Sequence, residues 1–181
     1  MAAPINRAAP VGGTAEDIVD RAAELLARHG PAYTSLQAVA DAVGVSKTTL
    51  LRRFPAKAAL LATVTDQCLT VVRAIRSAAD ATPLGPDRDH EVLGRVVLLA
   101  TSEPGHGLFS LLVRLAAHES EIREALFAAF GSSDRPERDT RVLATLGAVA
   151  AASRIRHSCA DDEMRRRLIS LGCDTLGHRA C

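Results

Sequence analysis

The side chains best suited to a chemical task are four cations in the first third of the chain. They are Lys47, Arg52, Arg53 and Lys57. The surrounding segment, residues 42–61, contains no acidic residue, whereas the whole chain has 22 basic and 21 acidic residues and a formal net charge of +1. The positive charge is therefore local. Such a cluster attracts phosphate groups, so this segment is a candidate for contact with a nucleic acid.

A second group of reactive side chains lies near the end of the chain. Its members are His157, Cys159, Cys173, His178 and Cys181. Thiolate and imidazole groups bind metal ions, and accessible thiols respond to oxidants. The spacing matches no recognised zinc pattern, and on a helix His178 turns away from the face that Cys173 and Cys181 share. We therefore predict no metal site and reduced thiols, and we keep a redox or metal sensor as an alternative function.

The sequence lacks the motifs of the common enzyme classes. It has no phosphate-binding loop of the P-loop type and no GxSxG motif. Gly105-His106-Gly107 begins a GxG pattern, but the third glycine is missing and no strand precedes it. The sequence accordingly predicts a protein that is not an enzyme, with no catalytic residue and no cofactor.

The composition indicates a helical protein. Apolar residues make up 48% of the 181 residues, and aromatic residues only 3%. A core of alanine, leucine and valine favours helices, whereas sandwiches of strands use more aromatic and β-branched residues. No N-terminal segment resembles a secretion signal, and the longest apolar stretch, residues 142–152, is too short to span a bilayer. We expect an all-α cytoplasmic protein with about nine helices and no membrane contact.

Capping residues and apolar periodicity place the helices. Thr34 opens the second helix, where Gln37 three residues later completes a capping box, and Gly44 ends it. Ser46 caps a short third helix that runs to about Phe54. The other helices are predicted at residues 15–29, 56–81, 90–102, 106–117, 121–130, 139–156 and 161–178, with a loop over residues 82–89.

The second and third helices are predicted to form a helix-turn-helix unit. Ala40 permits a close crossing of the two helices, and Gly44 permits the reversal of the backbone between them. The residues expected to fill their small shared core are Val39, Val43, Val45 and Leu50. With Leu50 facing inward, a rotation of 100° per residue turns Thr48 and Arg52 outward. In this arrangement the second helix of the pair lies in the major groove of DNA.

Residues 34–61, TSLQAVADAVGVSKTTLLRRFPAKAALL, resemble the DNA-binding signature of the TetR family of transcriptional regulators. The glycine, the threonine-leucine pair, the phenylalanine and the lysine stand at the spacings of the family. With the preceding helix, the resemblance covers about a third of the chain. It departs from the family pattern at Leu51, which replaces a usual tyrosine, at Thr48, which replaces a glycine or alanine, and at Arg53, which replaces a histidine or tyrosine.

The resemblance implies individual roles at the DNA. The positions that reach base edges in the family are held here by Gln37, Lys47, Thr48, Leu51 and Arg52. The positions that bind phosphate are held by Ser35, Thr49, Arg53 and Lys57. The chemistry agrees for Arg52, which can pair with guanine through two hydrogen bonds, and for Gln37, which can pair with adenine. For Thr48 and Leu51, simple packing is the alternative.

The resemblance also implies an organisation for the whole chain. We predict a disordered arm (residues 1–13), a three-helix DNA-binding domain (residues 14–60) and a helical domain for effector binding and dimerisation (residues 61–181). The implied function is a repressor that binds double-stranded operator DNA as a homodimer and is released by a small-molecule effector. A helical protein-interaction module that does not bind DNA is the other alternative.

The last two helices are the predicted dimer interface. One stripe is Val142, Leu146, Val149 and Ser153, and the matching stripe is Met164, Leu168, Leu171, Gly172 and Thr175. Packing within one chain is the alternative for both stripes. The family plan further suggests an effector pocket, for which the candidate residues are Phe109, Leu112, Val113 and His118. Ordinary core packing is the alternative for the apolar members of this set.

Overall fold

The computed structural model describes residues 14–102, 104–132, 135–155 and 162–178. Within these ranges the chain is all-α, as predicted. The helices are α1 (Ala15–His29), α2 (Leu36–Val43), α3 (Lys47–Arg53), α4 (Lys57–Ala79), α5 (Pro86–Thr101), α6 (His106–Leu115), α7 (Ser120–Ala129), α8 (Pro136–Ile155) and α9 (Asp162–Leu176). The predicted arm over residues 1–13 lies outside the described residues.

The start of α2 corrects one capping prediction. The N-cap is Ser35, whose Oγ accepts a hydrogen bond from the backbone N–H of Ala38 at 3.0 Å. Thr34 was the predicted cap, but its side chain turns inward and donates to the carbonyl oxygen of Gly30 at 2.9 Å. Gln37 therefore forms no capping box with Thr34. Either hydroxyl could cap the helix, and the contact of Thr34 with the end of α1 decides between them.

Two prolines begin helices earlier than predicted. Pro86 is the first residue of α5, so the predicted loop over residues 82–89 is four residues too long. Pro136 is the first residue of α8, three residues before the predicted start. Proline fits the first turn of a helix because its missing N–H would have no partner there. On the sequence alone, the two prolines and the glycine of residues 82–89 indicate a loop, and the polar character of residues 131–138 indicates another.

The helices pack around one continuous hydrophobic core that extends from α1 to α9. The most extensive contacts join α1 to α6, α4 to α7, and both α5 and α8 to α9. The long helix α4 spans roughly 35 Å and connects the N-terminal helices to the rest of the core. It buries one stripe of side chains, among them Leu60, Val64 and Val72.

By length and composition alone, α4 could also cross a membrane, as could α5 and α6 together if that bent pair is one span. The core helix of a folded domain can have the same length and composition. In α4 the charged side chains Asp66, Arg73 and Arg76 are exposed while the opposite stripe is buried in the core. A helix that packs inside a folded domain shows this pattern.

Candidate nucleic-acid interface

The turn between α2 and α3 positions the two helices of the candidate interface. Gly44 adopts the left-handed conformation, with φ of 79° and ψ of 27°, which side chains disfavour. The backbone N–H groups of Gly44 and Val45 each donate to the carbonyl oxygen of Ala40 at 3.0 Å. Ala40 and Leu50 are fully buried where the helices cross. The helix-turn-helix geometry and its small core are thus as predicted.

Helix α3 turns a polar face to solvent. Its N-cap Ser46 accepts from the N–H of Thr49 at 3.0 Å, and the two hydroxyls of these residues lie 2.8 Å apart. The exposed side chains of the helix are Lys47, Thr48, Thr49, Arg52 and Arg53. Leu51 is half-buried at the edge of this face. The predicted outward direction of Thr48 and Arg52 is therefore confirmed.

On α2, two further candidates lie at the surface. Ser35 is exposed, but its hydroxyl oxygen caps the helix. Gln37 is exposed and donates through Nε2 to Oδ1 of Asp41 at 2.7 Å. Asp41 was missed by the sequence analysis, although its spacing of four residues from Gln37 is the signal for such a pair. This contact engages the NH₂ group of Gln37 and does not involve its amide oxygen.

Lys57 begins α4 beside this face. The N-cap of α4 is Ala56, and no described side chain caps the helix there. Unpaired N–H groups and the positive end of the helix dipole favour anions at such a terminus. Lys47, Arg52 and Lys57 form no ion pair with another described residue. Their positive charges are therefore not offset by a described carboxylate and are available to an anionic ligand.

The candidate effector residues differ in exposure. Phe109 and Leu112 are buried in the core, Val113 is half-buried, and His118 is exposed beyond the end of α6. A cavity of about 760 Å³ lies instead between α1 and α6, and none of the four candidates lines it.

The predicted dimer stripe on α8 faces the inside of its own chain. Val142, Leu146, Val149 and Ser153 are all buried in the single chain. A side chain that is buried in this way has no surface left for a partner, so the structure corrects this assignment. The opposite side of α8 is exposed and is also apolar. Its exposed residues include Leu143, Ala144, Ala148 and Ala151.

The described cysteines are placed for packing. Burial raises the pKa of the Cys68 thiol to about 12, so the thiol is protonated at neutral pH and is a poor nucleophile. Cys173 is also buried, with Sγ 4.0 Å from Nδ1 of His90. No group of three potential metal ligands occurs among the described residues. His157, Cys159 and Cys181 of the predicted cluster lie outside the described residues.

Comparison with known proteins agrees with this geometry. Residues 18–64 match the family model described as "Bacterial regulatory proteins, tetR family", and this segment contains most of α1, all of α2 and α3, and the start of α4. No curated protein has a sequence that matches the chain.

Solved structures share the fold over most of the chain. Mycobacterium smegmatis AmtR superposes with a TM-score of 0.59 and 19% identity, covering 97% of this chain and 92% of that chain. A TetR-family transcriptional regulator from Streptomyces coelicolor gives a TM-score of 0.55 and 19% identity, covering 89% and 96% of the two chains. A transcriptional regulator from Rhodococcus sp. Rha1 gives 0.53 and 19%, covering 90% and 96%. The segment that forms the candidate interface thus matches the model of the tetR-family regulatory proteins, and the chain shares its fold with these solved structures.

Proposed function

We propose that the protein is a repressor that binds operator DNA as a homodimer and is released by a small-molecule effector. The observation that supports contact with DNA is the exposed face of α3. Its basic side chains lie within residues 42–61, which contain no acidic residue. In this proposal residues 14–60 form the DNA-binding domain and residues 61–181 the effector and dimerisation domain. The continuous core gives the two parts a mechanical connection through α4 and α6.

The roles at the DNA follow from side-chain chemistry. The guanidinium of Arg52 is an exposed donor fork suited to the O6 and N7 atoms of guanine. Lys57, at the N-terminus of α4, is suited to a backbone phosphate. The remaining base contacts are proposed for Gln37, Lys47, Thr48 and Leu51, and the remaining phosphate contacts for Ser35, Thr49 and Arg53.

Dimerisation is proposed through the outward side of α8 and α9. Leu143 is 38% exposed and Leu171 is 51% exposed, and exposed alanines accompany Leu143 on α8. Gly147 has open space beside its Cα, which would let a second helix approach closely. Two such helices from each subunit would form a four-helix bundle in which α8 uses its outward side instead of its buried stripe.

Replacing Arg52 by alanine is expected to weaken binding to the specific operator by about 1–3 kcal/mol per half-site and to relax one base position. The reason is the loss of a two-point contact to a base edge. Fluorescence anisotropy with the operator and with single-base variants measures both effects. Arg76→Ala serves as the matched control, because Arg76 is an exposed arginine near the far end of α4. An unchanged operator affinity for Arg52→Ala would remove its role in base recognition.

Replacing Lys57 by alanine is expected to weaken binding to all DNA sequences alike. A phosphate contact releases about one counterion, so the slope of log K against log salt should fall by about one per subunit. Titrations at several salt concentrations, on operator and on unrelated DNA, give that slope. A loss restricted to the operator would contradict the phosphate role.

The decisive experiment for the proposed function is binding of the full chain to its own upstream intergenic region, against nonspecific competitor DNA and over a range of salt. Specific, salt-sensitive binding with two chains per site supports the proposal. Binding without sequence preference would contradict an operator in that region. No binding to any DNA at low salt would overturn the proposal and favour the protein-interaction module.

A further inference from the structure

The cavity between α1 and α6 is the feature that the DNA-binding role leaves unexplained. Its volume is about 760 Å³, within the range of pockets that hold small molecules and far larger than a single water. One wall is the α1 face that carries Glu24 and Arg28, and the other is the α6 face that carries His106 and Ser110. Arg154 of α8 reaches the same cavity. The cavity thus touches both the proposed DNA-binding domain and the proposed effector domain.

Ser110 indicates that the cavity accepts a polar group. Its side chain is only 8% exposed, it lines the cavity, and its Oγ has no hydrogen-bond partner in the described structure. A buried hydroxyl without a partner is unfavourable, because water solvates it fully in the unfolded chain. Because Ser110 lines the cavity, a molecule bound there is positioned to supply the missing partner.

The charges around the cavity favour an anion. The charge of the Asp20 carboxylate is stabilised within the protein, since its Oδ1 accepts from the backbone N–H groups of Gly105 and Leu108 at 3.0 and 3.1 Å, at the positive end of α6. Arg21 and Arg28 both contact the Glu24 carboxylate in the wall, at 2.8 and 2.9 Å.

The formal charges of the lining balance, with three arginines and three carboxylates, but at Glu24 two arginines share one carboxylate. Arg154 adds a further cation that forms no ion pair with another described residue. The Asp17 carboxylate is likewise stabilised within the protein, because it accepts from the N–H and the hydroxyl of Thr14 at the positive end of α1.

We propose that this junction cavity binds a small organic carboxylate, with the anion directed at Arg28 and Arg154 and a polar atom at Ser110. A bound molecule would touch α1 and α6 at once, so its fit selects one spacing of these helices. In the proposed function that spacing sets the position of the DNA-binding helices. The regulatory consequence rests on the proposed function, whereas the binding itself does not.

The test of binding uses the full chain without DNA. The probes are carboxylates from acetate and benzoate to succinate and citrate, with the corresponding uncharged amides and inorganic phosphate for comparison, measured by calorimetry and thermal shift. We expect at least one carboxylate to bind more tightly than about 1 mM. Binding of none overturns the proposal. Equal binding of the amide or of phosphate overturns the assignment to a carboxylate.

Two variants locate the site. Ser110→Ala removes the unpartnered hydroxyl without adding bulk, and Arg154→Gln removes an exposed charge, so both are expected to fold like the parent chain. Each should weaken carboxylate binding tenfold or more. Ser77→Ala and Arg76→Gln are the matched controls, both exposed on α4, and should leave binding unchanged. Unchanged carboxylate binding in both cavity variants would place the site elsewhere.

A final comparison separates this proposal from the proposed function. If the chain binds its operator, a saturating carboxylate should lower operator affinity tenfold or more, and Ser110→Ala should abolish that response. A carboxylate that binds the cavity without changing operator affinity overturns the regulatory part alone. A chain that never binds DNA overturns the proposed function, while the calorimetric result for the cavity is unaffected.

Discussion

Replacing Asp89 by alanine is expected to lower the free energy of unfolding by about 3–5 kcal/mol. The Asp89 side chain is fully buried at the start of α5. Nη2 of Arg138 lies 2.8 and 2.7 Å from its two oxygens, and Nε2 of His178 lies 2.6 Å from Oδ2. One carboxylate therefore holds the start of α8 and the segment that follows α9. Its removal leaves a largely buried guanidinium without its counter-charge.

The other contacts of Arg138 explain why the structure does not easily compensate for the removal of Asp89. Arg138 also donates to the carbonyl oxygen of Phe130 through Nη2 at 2.7 Å, which fixes its position at the end of α7. The guanidinium cannot leave for solvent without giving up that bond as well. An unpaired buried charge of this kind is more unfavourable than the absence of the whole pair.

Urea unfolding, followed by circular dichroism, measures this effect. Asp87→Ala is the matched control, because Asp87 is exposed in the same first turn of α5 and should change stability by less than about 1 kcal/mol. Asp89→Asn keeps the shape of the side chain and should lose most of the same stability if the charge is what matters. An Asp89→Ala chain as stable as the Asp87→Ala chain would contradict the role given to this carboxylate.

Contacts between residues close in the sequence could be predicted, whereas contacts between distant residues could not. The turn at Gly44 and the cap at Ser46 depend on neighbouring residues, so the helix-turn-helix unit and the outward face of α3 were predictable. Asp89 lies 49 residues from Arg138 and 89 from His178, and no local pattern relates them. The cluster could be found only once the fold had brought α5, α8 and the end of α9 together.

Helix α8 shows a second limit of periodicity. Alanines and leucines lie on both of its sides, so the spacing of Val142 and Leu146 could not say whether they face a partner or their own chain. The structure buries them internally, and the other side is exposed. A helix that is apolar all round needs two partners, and the sequence alone does not say which side each partner takes.

The contact between α1 and α6 could not be predicted from the sequence either. There, Gly105-His106-Gly107 shows only an incomplete GxG pattern. Gly107 is buried against α1. A Cβ at this position would overlap the backbone carbonyl oxygen of Asp20 and lie 3.0 Å from the backbone N of Glu24. Backbone atoms cannot swing aside as a side chain can, so any residue larger than glycine must push the helices apart.

Gly107→Ala is therefore expected to lower the free energy of unfolding by about 1–3 kcal/mol, although alanine favours helices more than glycine does. Urea unfolding measures the change. Gly94→Ala is the matched control, since Gly94 lies within α5 and a Cβ there meets no atom within 4 Å. The control should be neutral or more stable by up to about 1 kcal/mol. Equal stability of the two variants would contradict the close approach of α1 and α6.

The same variant distinguishes a structural contact from a regulatory one. Moving α6 away from α1 also lengthens the hydrogen bonds from Gly105 and Leu108 to Asp20, which fix the start of α6 on the DNA-binding side. If α1 positions the DNA-binding helices, operator affinity should fall for Gly107→Ala even at a temperature where the chain is fully folded. A folded variant with full operator affinity would limit this contact to stability. A folded variant with weakened affinity would mean that the spacing of α1 and α6 itself controls DNA binding, because no residue of the α3 surface has been changed.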